Sequence, residues 1–300
     1  MRFNFYLQNA AVNNNESAKI REQTKMASIA RGLSVLSHEV CICGVSDEFR
    51  QSNRWVYFEY LYGKLESAKS VYPAESILHG VRPDIAIKCS ISCQTDAYFL
   101  SRCGLLIAHE HNEKQSEAKN LLSVPFLCFD GTIEYFIEQE LFRAYLNDDL
   151  ETIRSHFSVE KTKQVCFAGV GHYGRHKMFA NLPDYCELVL KDKAIMTSGE
   201  YLKWASGFKA GLSPSGDTPK ANRFSDLVVL GLATIAPPCP IAIMPPLNER
   251  NSIMLKDWND IEGLEQGLER IESIVAEADK DYRNGWSPMG QARQIIKAIQ

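Results

Sequence analysis

The sequence predicts an α/β protein in two similar-sized halves, each alternating strands with helices, with a cleft between them. Three observations carry that expectation. Short apolar runs of strand length recur between helical patterns along all 300 residues. A polar and charged stretch, Asn147–Lys163, interrupts the alternation near the middle. Hydrophobic residues make up 45% of the chain, enough for a large core. Alternation of this kind is the signature of parallel sheets covered on both faces. The halves are placed at residues 1–155 and 156–300.

In the first half, Arg2–Gln8 reads as a strand, Asn9–Asn15 as a polar loop, and Glu16–Leu36 as a helix with Met26, Ile29, Ala30 and Leu33 near helical spacing. Glu39–Cys43 is the next strand. A helix around Ala74–Leu78, a turn and strand in VRPDIAIKCS, a helix at Ala97–Cys103, and strands in GLLIAHEH and VPFLCFDG follow. Pro83 and Gly104 break the chain ahead of their strands. Ile133–Leu146 is read as a helix leading into the polar stretch.

The second half is read as strand Gln164–Gly169, helix Arg175–Asn181, strand Glu187–Leu190, helix Ser198–Ser206 and strand Ala210–Ser213. A Ser/Gly/Asp/Thr/Pro turn, a helix carrying Arg223 and Asp226, and strand Ala233–Ala236 come next. Ile261–Ala278 is helical with a charged, solvated face. A short helix, Ile295–Ile299, is placed after Pro288.

A net charge of -4 argues against a nucleic-acid-binding surface spread over the protein. The N-terminus has one basic residue and three asparagines where a signal peptide needs small residues, and reads as a strand. The longest apolar run, Leu227–Leu247, contains Pro237, Pro238, Pro240, Pro245 and Pro246, so no membrane span is expected. The nine cysteines are scattered, mostly within apolar runs and without a CxxC pair, which fits buried thiols in the cytoplasm. Nucleophilic catalysis finds no GxSxG elbow, and there is no P-loop.

The most informative stretch is GLSPSGDTPKANRFSDLVVLGL, Gly211–Leu232. A turn feeding a helix N-terminus receives phosphate well, because unpaired N–H groups and the positive end of the helix dipole point at one spot. Arg223 adds a full charge there, where the dipole disfavours it. The segment resembles the donor-binding segment of exostosin-like glycosyltransferases, with Pro214, Gly216, Asp217, Thr218, Pro219, Arg223, Asp226 and Gly231 matching the turn, the arginine, the acidic residue and the closing glycine. SGEYLKWASGFKAGLSP resembles that family's approach to the turn, and MASIARGLSVLSHEVCICG looks like the first helix and second strand of many GT-B enzymes.

The resemblance implies two Rossmann-like domains facing across a cleft, GT-B-like. The second, 156–300, is then the nucleotide-sugar side with its terminal helices, and the first, 1–155, the acceptor side. It implies a glycosyltransferase moving a sugar from a nucleotide-sugar co-substrate to a hydroxyl of a glycan, lipid-linked or small-molecule acceptor, with no metal or other cofactor. Negative charge on the departing diphosphate would be met by Arg223 and the Ser215, Gly216, Asp217 and Thr218 segment, with Arg175 as an accessory contact. Asp226 would hold a ribose hydroxyl or pair with Arg223.

Gly169-Val170-Gly171-His172-Tyr173-Gly174 matches G-x-G-x-x-G after an apolar strand, with Asp192 about 20 residues beyond. It supports an alternative class, an NAD(P)-dependent oxidoreductase, although His172 and Tyr173 are bulky for close approach to a pyrophosphate. In the transferase reading, Gly171 and Arg175 serve the donor. A third class is a non-catalytic nucleotide- or sugar-binding protein of the same fold. His109, Glu110 and His111 end a strand at the edge where open α/β sheets keep ligands, and one of them is the candidate general base. Asp279-Lys280-Asp281 is a DxD string in a charged helix and is read as surface.

Overall fold

A computed structural model of the chain describes residues 2–6, 28–43, 71–72, 85–88, 105–109, 121–124, 139–170, 174–191, 196–214, 223–237 and 245–300. The chain forms two compact units. The first is Met1–Leu127 with Pro288–Gln300, the second Cys128–Ser287. The polar stretch Asn147–Lys163 falls within the second unit, and the last helix returns to the first.

The first unit holds a parallel sheet of β1 (Arg2–Tyr6), β2 (Glu39–Cys43), β3 (Val71–Tyr72), β4 (Ile85–Lys88), β5 (Leu105–His109) and β6 (Leu121–Val124). Their order across the sheet is β3-β2-β1-β4-β5-β6. This is the Rossmann order, which reverses direction between β1 and β4. Phe3, Val40, Ile29, Ala30 and Leu33 are fully or almost fully buried, and Phe3 meets His38 edge-on at 5.5 Å. The final helix, Pro288–Ile299, packs on the helix over 28–35. Gly32 makes the approach possible, since a Cβ there would lie 2.9 Å from the Ala292 Cβ and 3.2 Å from the Pro288 carbonyl oxygen.

The second unit holds β7 (Lys163–Val170), β8 (Cys186–Lys191), β9 (Phe208–Leu212), β10 (Ala233–Ala236) and β11 (Ile253–Met254), all parallel, in the order β11-β10-β9-β7-β8. Counted from β7 this is the flavodoxin-like order 2-1-3-4-5, with its switch point between β7 and β9. Its core gathers Val165, Phe167, Ala210, Leu212 and Ile235 from alternate strand positions, as the period of two requires. Phe179 joins Phe167 at 5.0 Å and Trp258 at 5.2 Å between ring centroids.

Several sequence expectations need correction. The polar stretch contains a helix, Leu150–His156, whose Asp149 accepts from the Thr152 amide at 3.1 Å and which buries Leu150 and Ile153. Charge masked a short apolar stripe that Phe157, buried at the C-cap, continues. The predicted helix Ile261–Ala278 is two helices, Ile261–Glu269 and Ile271–Asp281, separated at Arg270. The terminal helix is Pro288–Ile299 rather than Ile295–Ile299, because Pro288 starts it, at a position where a missing N–H costs nothing. Asp279 and Asp281 are not idle surface groups. Asp279 forks to Arg154 and Asp281 accepts from Asn251 at 2.7 Å. The strand expected in VPFLCFDG is described only through its first residue, as Leu121–Val124, and its other residues lie outside the described set. So do the predicted helices Ala74–Leu78 and Ala97–Cys103, the start of Glu16–Leu36, and the loop Asn9–Asn15. Strands β3 and β11, of two residues each, were too short to read from periodicity.

Candidate functional site

At the carboxyl ends of β7 and β9, the switch point of the second sheet, two arginines converge on one aromatic ring. Phe167 is fully buried. The Arg223 guanidinium carbon lies 4.4 Å from its centroid and that of Arg175 lies 5.5 Å away. Arg223 also faces the Tyr201 ring at 5.3 Å. Aromatic faces attract guanidinium groups by about 0.5–2 kcal/mol each, more as water is excluded. Two guanidinium charges against one ring repel each other by on the order of 2 kcal/mol at an effective dielectric near 20. An anion bound between them would offset that repulsion by attracting both charges.

Gly169 supplies the space. A Cβ there would stand 3.0 Å from Phe167 Cζ and 3.1 Å from Arg223 Nη2. The first glycine of the G-x-G-x-x-G string therefore leaves room for an arginine. The helix after that string is only four residues, Arg175–Met178, entered through Gly174 at φ 71°. Arg175 is its first residue and is 8% exposed. Arg223 opens the helix Arg223–Val229, and its buried Nε has no hydrogen-bond partner among the described residues. Asp226, one turn along, is 6% exposed.

Tyr201 is held from behind. Its helix, Ser198–Ala205, begins with a capping box in which Thr197 accepts from the Glu200 amide and the Glu200 carboxylate accepts from the Thr197 amide at 2.8 Å. Trp204 lies beside Tyr201 at 6.2 Å and donates its Nε1–H to Glu187 at 3.1 Å, and Lys163 donates to the same carboxylate at 2.6 Å. Those two contacts, the lysine first, hold the Glu187 carboxyl below its ordinary value. Burial pushes the Tyr201 hydroxyl well up, against the opposing pull of Arg223. Burial also pushes the Cys166 thiol up to about 12 and the Cys186 thiol to about 11, and both cysteines are free. Only the thiolate is nucleophilic, so burial disfavours the reactive form of both.

Of the residues singled out from sequence, Arg223 and Arg175 come together, and Asp226 lies on the same helix as Arg223. His109 is the last residue of β5, paired with Val124 of β6. Glu110, His111, Gly171, Ser215, Gly216, Asp217 and Thr218 lie outside the described residues. Sequence reasoning missed Phe167, Tyr201 and the role of Gly169. The signal available was Phe167-x-Gly169 at the end of a buried strand, a large residue and a gap on the same face. Among the described residues, no group of three or more His, Cys, Asp or Glu side chains is arranged to hold a metal ion.

Comparison with solved structures finds the fold, at low sequence identity, in known proteins. The chain superposes on HepE of Anabaena, solved in complex with UDP, with a TM-score of 0.51 and 11% identity over 100% of this chain and 99% of that one. A glycosyltransferase from Rickettsia africae matches with a TM-score of 0.46 and 11% identity over 99% and 97% of the two chains. WaaG, a glycosyltransferase involved in lipopolysaccharide biosynthesis, gives 0.44 and 11% over 98% and 99%. No protein-family model matches the sequence, and no curated protein does. The fold class is α/β of the GT-B kind, built from two Rossmann-like units that each hold a sheet of parallel strands. No helix among the described residues is long and apolar enough to cross a membrane.

Proposed function

We propose that this chain is a cytoplasmic glycosyltransferase that moves a sugar from a nucleoside-diphosphate sugar to a hydroxyl of a glycan, lipid-linked or small-molecule acceptor. The observation that carries the reading is the pair of arginines, Arg223 and Arg175, gathered on the Phe167 ring at the switch point of the second sheet. Open α/β sheets bind ligands outside the carboxyl ends of their strands at such a point. A guanidinium fork matches phosphate oxygens in pairs. In glycosyl transfer the diphosphate gains charge as the glycosidic bond breaks, so cations fixed in place before reaction favour the transition state over the ground state. This reading needs no metal to meet that charge.

Asp226 and the Ser215, Gly216, Asp217 and Thr218 segment complete the donor side in this reading, with Gly171 on the neighbouring loop. His109, or Glu110 or His111 beside it, is the proposed base that removes the acceptor hydroxyl proton. The fold likeness to a protein solved with UDP makes UDP the first nucleotide to try.

The test is a thermal-shift screen against UDP, GDP, CMP, dTDP, NAD and NADP, followed by a transfer assay with the sugar form of the nucleotide that binds. A ligand at a hundred times its dissociation constant stabilises the native state by about 2.7 kcal/mol. A shift with one nucleoside diphosphate and none with NAD or NADP is the expected result. A shift confined to NAD or NADP would replace this reading with an oxidoreductase.

A further inference from the structure

The helix that carries Arg223 at its first residue is gripped at its other end by two cations. Arg154 Nε donates to the Val229 carbonyl at 3.0 Å and Nη2 to the Val228 carbonyl at 2.8 Å. Lys161 Nζ donates to the Gly231 carbonyl at 2.5 Å and to that of Leu230 at 3.4 Å. Four consecutive carbonyls at the helix end are thus met by side chains from the segment ahead of β7. Arg154 is itself fixed, since its remaining edge forks to Asp279 at 2.7 and 2.6 Å.

The backbone is shaped for this grip. The helix closes with the Leu232 amide donating to the Leu227 carbonyl and the Gly231 amide to the Val228 carbonyl, both at 2.9 Å, with Gly231 at φ 68°. That is the left-handed close that glycine allows. A Cβ on Gly231 would stand 2.8 Å from Arg154 Nε, so the glycine also admits the guanidinium. Every residue from Phe224 to Val229 is buried, and the orphan carbonyls of a buried helix end need partners other than water.

We propose that Arg154, fixed by Asp279 and assisted by Lys161, is a positioning residue for Arg223. It sets the axial place and rotation of a helix about 10 Å long, and so keeps the Arg223 guanidinium against Phe167 in the gap left by Gly169. The proposal rests on the reading of Arg223 as the diphosphate contact. It extends the donor site to a cluster at the far end of that helix.

The experiment is a double-mutant cycle read as UDP affinity by titration calorimetry: wild type, Arg154→Met, Arg223→Ala and the double variant, with Arg154→Lys as the conservative control. Arg154→Met is expected to weaken UDP at least fivefold alone and less than twofold when Arg223 is already alanine. Arg154→Lys, which keeps the charge but not the fork, is expected to recover part of the loss. A purely structural role predicts the same loss in both backgrounds, and that result would overturn the proposal while leaving the donor reading intact. Unchanged affinity in Arg154→Met would do the same. Unchanged affinity in Arg223→Ala would remove the donor reading and the proposal together. If Arg154→Met does not fold, Asp279→Asn and Lys161→Met take its place in the same cycle, with the same criterion.

Discussion

At the scale of single residues, Gly169 and Phe167 do as much for the candidate site as the arginines do. The ring gives Arg223 and Arg175 a shared face, and the missing Cβ lets Arg223 reach it. Gly169→Ala puts a methyl group where Arg223 Nη2 and the ring tip now lie. The neighbours must give by a few tenths of an ångström, so the expected cost in stability is about 1 kcal/mol, the low end of overpacking penalties. The expected cost in nucleotide affinity is larger, about tenfold, because the guanidinium moves. Paired thermal melts and UDP titrations on the variant separate the two, and a drop in melting temperature with unchanged affinity would contradict the assignment. Cys166 and Cys186 give a second prediction at this scale. Burial holds their thiols up to about 12 and about 11, and only the thiolate reacts. In the native protein at pH 8 neither should react with a disulfide reagent, and both should do so in urea, as peptide mapping after labelling would show.

Among the elements, the helix Leu150–His156 shows how a carboxylate cap couples stability to pH. Thr152, through its hydroxyl and then its amide, holds the Asp149 carboxyl below its ordinary value. A carboxyl whose folded value is depressed contributes stability at pH above the unfolded value and loses it as pH falls through the folded one. Asp149→Asn keeps a capping oxygen but not the charge. Its denaturant midpoint should therefore lie below that of the wild type at pH 6, and the gap should close toward pH 3. A gap that stays constant would mean that the charge is not the source. The same helix marks a limit of sequence reading. Its apolar stripe is Leu150 and Ile153, continued by the buried C-cap Phe157 at i, i+3, i+7 spacing, and the surrounding charge of NDDLETIRSHF hid so short a period. Strands β2, β7 and β10 were legible because each carries a short, mostly apolar run, and β1 because Phe3 and Phe5 alternate with Arg2 and Asn4. Pro288 misled because a proline can open a helix as well as end one.

Over the whole molecule, the two units differ in strand order, 3-2-1-4-5-6 in the first and 2-1-3-4-5 in the second, and each order has its own switch point. The alternation of strands and helices, and hence the α/β class, was legible from hydrophobic pattern, and the GT-B kind from the resemblance carried by Gly211–Leu232. The strand orders were not, since pairing across a sheet depends on contacts between residues far apart in sequence. The return of Pro288–Ile299 to the first unit was hidden for the same reason. That return predicts that Gly32→Leu, which drives a side chain into Ala292 and the Pro288 carbonyl, destabilises the first unit by about 2 kcal/mol, in the range of overpacking penalties. Hydrogen exchange should show faster opening of β1 and β2, with β7 and β9 unaffected. Equal effects on both sheets would contradict it. Arg223 was legible because an arginine at the start of a helix is out of place for the dipole. Its partners were not legible, because Phe167, Tyr201 and Gly169 reach it from two other elements.

Titrating UDP into wild type and Arg223→Ala of equal melting temperature, at fixed ionic strength, decides whether Arg223 binds the diphosphate of a nucleotide. Loss of a hydrogen-bonded charge contact costs about 1.5–3 kcal/mol, roughly 10- to 150-fold in affinity. A loss in that range is expected, with uridine, which lacks the phosphates, binding both proteins equally weakly. Equal UDP affinity in the two proteins would rule out a diphosphate contact at Arg223.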